Sequence, residues 1–416
     1  MTQRIVVVGG GFAGLWGALS AARTRAALGL EDDVDITLIA PGRAHVVRVR
    51  CYEADLAPLT VPFDDVLGPA GVDHAEGLAT AIDVAGRRVT LRPGPGAGDA
   101  VALGYDRLIL AAGSALRRPD VPGVDAAFDV DTLAGAQRLA GHLDALGSGA
   151  VGRGEAGRWT ALVIGGGLVG IEIACELPAR LAAARDRAGD AAPVRTILID
   201  RAPRIGAAMG AGEPAVRQAL AAAEITCLGG IDVAAIDAAG VTLDDGTRIP
   251  ALTVVCATGQ QASPLAGQIG APRDALGRLP VDPVLRVVGV PDVYAAGDIA
   301  VAAADADGHG TVMSCQHARP MGRFAGHNAV CDLAGRPDDR LAFLAPDYVT
   351  VLDLGAWGAA YTAGWERQML ISAGAPAKAI KRAINGSRIY PPLDRDAAAI
   401  LAAAAPVVQA RPAART

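Results

Sequence analysis

Two stretches of this sequence repeat one pattern of glycines. Residues 3–19 read QRIVVVGGGFAGLWGAL, and residues 157–177 read GRWTALVIGGGLVGIEIACEL. In both, a run of apolar residues leads into G-x-G-x-x-G and then into residues suited to a helix. A strand, glycine turn and helix of this kind begin the βαβ unit that holds a dinucleotide. The repeat therefore predicts an α/β protein with two Rossmann-type dinucleotide-binding domains.

Each glycine of the pattern has its own task. The first permits a tight turn, the second lets a pyrophosphate approach the backbone, and the third lets helix and strand pack closely. The phosphates would lie at the helix N-terminus, where free N–H groups and the helix dipole favour an anion. We predict that the contacts come from Gly9, Gly11, Phe12, Ala13 and Gly14 in the first turn and from Gly165, Gly167, Leu168, Val169 and Gly170 in the second.

Two such domains indicate two dinucleotides, one held as a cofactor and one visiting as a substrate, placed so that a hydride can pass between them. In the second unit Asp200 ends the strand RTILID, and a carboxylate there favours NAD(H) because it would repel a 2′-phosphate. Arg201 and Arg204 follow closely and leave NADP(H) as an alternative. In the first unit Ala40 stands in the acid's place, so that ribose contact is absent or is supplied elsewhere.

The order of five motifs is specific. GGGFAG, YDRLILAAGS, GGGLVGIE, CATG and DVYAAGDIA together resemble the pyridine nucleotide:disulfide oxidoreductases, and within them the type II NADH dehydrogenase-like branch. The resemblance covers about residues 4–336. It implies FAD on the first unit and NAD(H) on the second, in an FAD-dependent NAD(P)H oxidoreductase that passes a hydride to flavin N5. Electrons would then go to a quinone, a dye or a small redox protein.

The resemblance also implies roles for single residues. Asp298 of the A-x-G-D motif would bind the ribityl or pyrophosphate part of FAD, and His45 and Tyr52 would lie near the flavin. Glu172 would approach the nicotinamide, where it could orient the carboxamide or accept a proton; a dipole-favoured carboxylate at a helix N-terminus is the alternative. Further cofactor contacts are expected from Arg43, Ala112, Gly113 and Gly259.

A helix is predicted to follow the A-x-G-D motif, beginning within MSCQHARPMGR, residues 313–323. In the superfamily this N-terminus faces the pyrimidine end of the flavin, so N–H groups near Gln316, His317 and Ala318 would stabilise negative charge there. We therefore count Gln316 and His317 with Glu172 as catalytic candidates, although His317 could equally be a packed core histidine. Quinone-reducing relatives carry a Gln-Gln pair where this chain has Pro320 and Met321, which weakens the expectation of a quinone acceptor.

The six cysteines stand singly. A dithiol relay needs two cysteines about four residues apart facing the flavin, so that chemistry is excluded. Cys51 leaves two readings open, a redox-active thiol of a peroxide- or oxygen-reducing enzyme and an ordinary apolar position. A reductase for a small electron-transfer protein and a redox-sensing binding module remain alternatives as well.

Charge and hydropathy set the expected partners. A formal charge of −6 without a basic stripe argues against nucleic acid. The chain starts on a strand and shows no long apolar run, so we expect a cytoplasmic protein. Near the C-terminus, APAKAIKRAING predicts a short helix with Pro376 in its first turn and Gly386 past its end. Its basic residues, Lys378, Lys381 and Arg382, are expected to form a solvated face, with peripheral membrane contact and a homodimer as further options.

The motifs also predict domain boundaries. The FAD-binding domain would comprise residues 1–120 and 260–335, with the NAD(P)H-binding domain, residues 121–259, inserted between them. Residues 336–416 would form a C-terminal α+β domain, in which YVTVLDLG and WGAAYTAG are strands that helices follow. Short strands with a Gly/Pro hairpin tip at RPGPGAGDA, residues 92–100, would complete the first unit.

Overall fold

The computed structural model describes residues 2–94 and 98–412. The predicted hairpin tip is centred on residues 95–97, which lie outside the described residues. The elements of the first part are, in chain order, β1 (Gln3–Val8), α1 (Phe12–Ala27), β2 (Val34–Ala40), β3 (Ala44–Val46), β4 (Thr60–Pro62), α2 (Phe63–Val66), β5 (Asp73–Glu76), β6 (Leu78–Asp83), β7 (Arg88–Arg92), β8 (Val101–Gly104), β9 (Arg107–Leu110) and β10 (Ser114–Leu116).

The remaining elements follow in two groups. The middle of the chain forms α3 (Leu133–Ser148), β11 (Thr160–Ile164), α4 (Leu168–Arg187), β12 (Arg195–Asp200), α5 (Glu213–Ala222), β13 (Thr226–Gly229), β14 (Val233–Asp237), β15 (Gly240–Leu243), β16 (Arg248–Pro250), β17 (Thr253–Cys256) and β18 (Gln260–Ala262). The last part forms β19 (Leu279–Pro280), β20 (Val293–Ala295), β21 (Ala300–Val301), α6 (Cys315–Leu333), β22 (Val349–Asp353), β23 (Ala359–Ala363), β24 (Met369–Gly374), α7 (Ala375–Ala383) and α8 (Ala397–Ala403).

Two parallel sheets form the centre of the fold. The first has the strand order β20-β9-β1-β2-β5, and the second has the order β13-β12-β11-β17. Their central strands β1 and β11 are apolar runs that are buried almost throughout, as expected of parallel strands covered on both faces. The prediction of an α/β protein with parallel sheets is confirmed.

The chain passes from the first sheet to the second and back through one short ribbon. Its strands β10 and β18 are antiparallel, with Ser114 opposite Ala262. Strand β20, which follows the second sheet in sequence, pairs with β9 in the first sheet. The two parallel sheets are therefore adjacent where the ribbon joins them, and the carboxyl ends of their strands can contribute to a common site.

Helix α6 packs closely on α1. A β-carbon at Gly322 would lie 2.2 Å from the carbonyl oxygen of Ala13, and one at Gly326 would lie 2.1 Å from that of Gly17. Only glycine, which has no β-carbon, allows the two helices to approach so closely. This contact holds the N-terminus of α6 beside the glycine turn that begins α1.

The C-terminal part is an antiparallel sheet, β22-β23-β24, followed by α7. The sequence reading found the first two strands and missed β24, whose residues Met369 and Leu370 are exposed and give no clear alternation. As predicted, α7 has Pro376 in its first turn and ends before Gly386, which lies in a π-helical turn, Ile384–Arg388, that follows the helix. Among the described residues, none of the helices is both long and apolar enough to cross a bilayer.

Candidate active site

A cavity of about 1030 Å³ opens between the two parallel sheets, α6 and the C-terminal part. This volume is at the upper end of the roughly 300–1,000 Å³ typical of small-molecule sites. Residues predicted from both glycine motifs line it together. The predicted residues in its wall are Gly11, Phe12, Ala13, Gly113, Gly167, Leu168, Val169, Glu172, Gly259, Asp298, Gln316, His317 and Ala318.

In the first glycine turn, the three glycines have different surroundings. A β-carbon on Gly9 would lie 2.2 Å from the carbonyl oxygen of Ala111, and one on Gly14 would lie 1.7 Å from that of Gly9. A β-carbon on Gly11 would meet nothing within 4 Å. Gly9 and Gly14 are therefore required for packing, whereas Gly11 leaves open space at the N-terminus of α1. This open cradle fits the pyrophosphate of a dinucleotide such as FAD.

The second turn reproduces this geometry. A β-carbon on Gly165 would lie 2.4 Å from the carbonyl oxygen of Ala257, and one on Gly170 would lie 1.7 Å from that of Gly165. Gly167 again faces open space. The N-terminus of α4 can therefore hold a second pyrophosphate in the same manner.

Asp298 lies where the A-x-G-D motif predicts it, in the cavity wall. It accepts a hydrogen bond of 2.7 Å from Ser114 Oγ, and Arg48 Nη1 lies 3.8 Å from its carboxylate. Burial raises the pKa of Asp298 above its ordinary value, while Ser114 and Arg48 oppose this shift. A buried carboxylate with remaining acceptor capacity suits the hydroxyl groups of a ribityl chain.

Asp200 ends β12 beside the second glycine turn. Its carboxylate accepts hydrogen bonds from the backbone N–H groups of Gly166 and, at 2.6 Å, Ala202. The matching place in the first unit is filled by Ala40. A β-carbon built on Gly10 would lie 2.8 Å from the β-carbon of Ala40. In the second unit, a β-carbon built on Gly166 would lie 3.1 Å from the β-carbon of Asp200. Ala40 therefore occupies the position in the first unit that Asp200 occupies in the second.

The arginines considered as nucleotide contacts each lie beside acidic side chains. Arg43 is exposed, with Asp64 at 3.2 Å and Glu76 at 3.6 Å, and it does not line the cavity. Arg201 lies 4.0 Å from Asp232, and Arg204 pairs with Glu213. Of the other predicted contacts, Ala112 also lies outside the cavity wall.

The N-terminus of α6 differs in detail from the prediction. The N-cap residue Ser314 accepts the N–H of His317 through Oγ at 3.4 Å and the N–H of Ala318 through its carbonyl at 2.9 Å. The two N–H groups without an acceptor in residues 2–94 and 98–412 are those of Cys315 and Gln316. Of the three residues predicted to supply free N–H groups, Gln316 therefore does so, whereas those of His317 and Ala318 are bonded to Ser314, which the sequence analysis did not identify as the cap.

The side chain of Gln316 is held by the C-terminal part. Its Nε2 donates to the carbonyl of Asp347 at 2.9 Å, and its Oε1 accepts the N–H of Val349 at 3.4 Å. These bonds fix the start of β22 against α6. Gln316 contributes to the cavity wall mainly through its backbone N–H, since its amide is already engaged.

His317 is buried and neutral. Its Nδ1 accepts the N–H of Val312 at 3.1 Å, so the ring proton is on Nε2, which has no acceptor among the described residues. Burial lowers the pKa of His317 to about 4. His317 can therefore donate a hydrogen bond into the cavity, but it is not an acid at neutral pH. His45 is likewise buried, with a pKa of about 4, and its Nδ1 donates to the carbonyl of Gly10 at 2.9 Å.

The two buried histidines predict a loss of stability in acid. Because burial lowers both pKa values from 6.5 to about 4, the unfolded chain binds more protons between these values, and stability falls as pH falls. Each histidine should lower the free energy of unfolding by about 2 kcal/mol at pH 5 relative to pH 8. Unfolding at both pH values should show a smaller pH effect in His45→Gln/His317→Gln than in the parent chain. An equal pH effect in the two proteins would contradict the assignment.

Glu172 projects from the first turns of α4 into the cavity wall and is buried. Its Oε1 accepts hydrogen bonds from Lys381 Nζ at 2.9 Å and from the N–H of Asp353 at 3.1 Å. Lys381 also donates to the carbonyl of Val351 at 2.8 Å. Burial raises the pKa of Glu172, and the nearby ammonium group opposes this shift.

The prediction of a solvated basic face on α7 is wrong for two of its three residues. Lys381 pairs with Glu172, Lys378 pairs with Asp353, and Arg382 alone of the three is exposed. Two buried carboxylates need neighbouring cations, and α7 supplies them. Tyr52 joins this cluster, because its hydroxyl donates to Asp353 at 3.2 Å.

Cys51 is fully buried. Burial raises the pKa of its thiol to about 11, so little thiolate is present at neutral pH. Since the thiolate is the reactive form, this environment supports the apolar reading of Cys51 over the redox-active one.

Sequence reasoning missed the cationic residues of the cavity. Arg319 and Arg323 carried the clearest available signal, because their spacing of four residues puts both on one face of the helix that faces the flavin site. The cavity-lining cations not predicted as site residues are Arg48, Arg278, Arg319, Arg323, Lys381, Arg388 and Arg411.

Known proteins are similar to this chain in sequence and in fold. The family model described as pyridine nucleotide-disulphide oxidoreductase matches residues 3–322. An NADH dehydrogenase-like protein of Mycobacterium tuberculosis is 50% identical over 98% of this chain and 100% of that protein. The type II NADH:quinone oxidoreductase NdhA of the same organism is 31% identical over 71% of this chain and 66% of that protein.

A solved structure extends the likeness to the whole fold. NDH2 of Plasmodium falciparum in complex with NADH has a TM-score of 0.77 to this chain, with 13% identity, and the match covers 95% of this chain and 96% of that one. Together with the family match over residues 3–322, these relationships identify the chain as a member of the pyridine nucleotide-disulphide oxidoreductase family.

Proposed function

We propose that this protein is an FAD-dependent NADH oxidoreductase that reduces a small quinone-type acceptor. The observation that carries the proposal is that two matched glycine turns open on one cavity through Gly11 and Gly167. A cofactor dinucleotide and a substrate dinucleotide can then meet inside it. The names of the relatives, NADH dehydrogenase-like protein and type II NADH:quinone oxidoreductase, support the same function.

The proposed FAD site is built from the first parallel sheet and α6. The N-terminus of α1 would hold the pyrophosphate, Asp298 the ribityl hydroxyls, and the N–H groups of Cys315 and Gln316, with His317 Nε2, the pyrimidine end. Bound FAD would supply the acceptor for one hydride, which carries two electrons. The corresponding domain would be residues 1–120 and 260–335, a division supported by β20, which lies in the same sheet as β1.

The proposed NADH site is the second glycine turn with Asp200 and Gly259, in the inserted residues 121–259. The carboxylate of Asp200 would bind the adenosine ribose hydroxyls. Glu172, with Lys381 and Asp353, would form the wall beside the nicotinamide and exclude solvent from the nicotinamide ring. The carboxylate of Asp200 favours NADH over NADPH, because it would repel a 2′-phosphate. Arg201 and Arg204 are exposed, and each lies beside an acidic side chain, Asp232 and Glu213.

An anaerobic titration tests the proposal. The purified protein, reconstituted with FAD, should show a flavin spectrum that bleaches on adding one equivalent of NADH, with NADPH at least about tenfold slower, a difference of roughly 1.4 kcal/mol. A simple naphthoquinone should then restore the oxidised spectrum. If no flavin binds, or if bound flavin fails to bleach with either nucleotide, the proposed function is wrong.

A further inference from the structure

Two arginines lie inside the protein on one face of α6. Arg319 is 6% exposed and Arg323 is 1% exposed. Their guanidinium groups lie over the ring of Trp16 on α1, 5.4 Å and 4.0 Å from its centroid. The indole face stabilises a cation, but it does not accept the directed hydrogen bonds that a guanidinium donates.

Among the residues that the structure describes, neither arginine has a carboxylate partner. Arg319 Nη2 donates to the side-chain amide of Gln409 at 2.8 Å, while the Nε atoms of Arg319 and Arg323 are buried and have no acceptor in the described part of the chain. Within the same residues no acidic group lies within 4.0 Å of either guanidinium. Burial lowers their pKa values, to about 10 for Arg319 and about 9 for Arg323.

Two other cations of the cavity wall have acidic partners. Arg48 pairs with Asp131, and Lys381 pairs with Glu172. An unpaired buried charge is expensive, and proteins rarely keep one without a use. Arg319 and Arg323 therefore differ from Arg48 and Lys381 in that no acidic side chain of the described residues balances their positive charge.

Both arginines line the cavity, and further cations lie near them. Arg388 is close enough to lower the pKa of Arg319, and its Nη2 donates to the carbonyl of Ala410. Along α6, Arg319 and Arg323 lie roughly 4.5 and 10 Å beyond Gln316, at 1.5 Å per residue. The positive wall thus begins about one helical turn from the N–H groups assigned to the flavin.

We propose that Arg319 and Arg323 bind an anionic group of the electron acceptor. This inference rests on the proposed function and specifies its substrate class: a quinone-type ring bearing a carboxylate, sulfonate or phosphate. The oxyanion would accept charged hydrogen bonds from the terminal nitrogens of the two guanidiniums, and the quinone ring would reach the flavin. NADH and one proton convert the quinone to its hydroquinone and leave NAD⁺, so that two electrons and two protons enter the acceptor.

A pair of acceptors with the same ring and different charge tests the inference. A naphthoquinone with a short alkyl chain ending in a carboxylate and its methyl ester have the same ring and differ in charge. We expect kcat/KM of the FAD-loaded protein to be about tenfold to a hundredfold higher for the acid. In Arg319→Gln/Arg323→Gln the ratio should approach one, and Arg319→Lys/Arg323→Lys should retain part of the preference. Arg382→Gln, which removes an exposed cation from α7, should leave the preference unchanged.

A binding measurement separates acceptor recognition from catalysis. Calorimetry with the naphthalene carboxylate that carries the same chain but no quinone should detect binding to the parent chain, weakened at least tenfold in the Gln double variant. The ester should bind equally weakly to both proteins. An acid-to-ester ratio near one in the parent chain, or a ratio that the arginine variants leave unchanged, overturns the inference.

Two further measurements distinguish failure of this inference from failure of the proposed function. NADH should bleach the flavin of the Gln double variant at the parent rate, which tests the reductive half-reaction alone. Loss of bound FAD from the folded Lys double variant would instead assign the arginines to the cofactor and overturn the inference. Flavin that bleaches normally without any charge preference overturns the inference and leaves the proposed function standing.

Discussion

Replacing Gly167 by valine is expected to abolish reduction by NADH while the protein stays folded and keeps its flavin. The backbone at Gly167 has no positive φ, and nothing lies within 4 Å of a β-carbon built there. A valine therefore fits the protein but fills the space of the second pyrophosphate at the N-terminus of α4. We expect kcat/KM for NADH to fall at least about a hundredfold, or roughly 2.7 kcal/mol of binding, in stopped-flow measurements of flavin bleaching.

Two matched variants make this result specific. Gly11→Val places the same side chain in the same position of the first turn and should lose FAD while the fold is kept. Gly141→Val, on the exposed side of α3 with open space around it, should change neither cofactor content nor NADH reduction. Normal turnover of Gly167→Val, or loss of FAD from it, would show that the second turn does not hold the nicotinamide nucleotide.

The first glycine of the motif would be a poor choice for this experiment. Gly165 has φ of +107°, and a β-carbon there would lie 2.4 Å from the carbonyl oxygen of Ala257. A substitution would distort the turn itself, so lost activity would report misfolding as well as lost binding. The sequence assigns the three glycines different tasks, and the structure agrees with that division, because Gly165 and Gly170 pack against backbone while Gly167 faces open space.

The sequence predicted what depends on local pattern. β1 and β11 are continuous apolar runs, and the turns after them need glycine for reasons that act within a few residues. The position of Asp298 followed for the same reason, because its motif ends a buried strand. These features require no knowledge of distant parts of the chain.

What the sequence did not predict depends on contacts between distant segments. Lys381 lies 209 residues from Glu172, and the helix pattern around it fits a solvated face as well as a buried one. Arg319 and Arg323 look like ordinary helix residues until α1 brings Trp16 beneath them. Burial of a charge is a property of the assembled fold, and the chemistry of this cavity depends on such charges.

The ion pair of Glu172 and Lys381 has the second large expected effect. It joins α4 to the C-terminal part at the cavity wall, with both side chains nearly inaccessible to solvent. Removing one partner leaves the other charge buried, which typically costs about 3–5 kcal/mol. Lys381→Met and Glu172→Gln should each lose about this much stability, whereas the double variant should unfold within about 1 kcal/mol of the parent chain.

The pH dependence of Lys381→Met identifies the charge as the cause. Without the ammonium, burial raises the pKa of Glu172 further above that of the unfolded chain, so the folded state binds more protons and stability falls as pH rises. The destabilisation of Lys381→Met should therefore be larger at pH 8 than at pH 5, in denaturant unfolding followed by circular dichroism. Glu172→Gln/Lys381→Met lacks the carboxylate of Glu172 and should therefore lack this difference. Additive losses in the double variant, or a pH-independent loss in Lys381→Met, would mean that packing and not charge pairing holds Glu172 at the cavity wall.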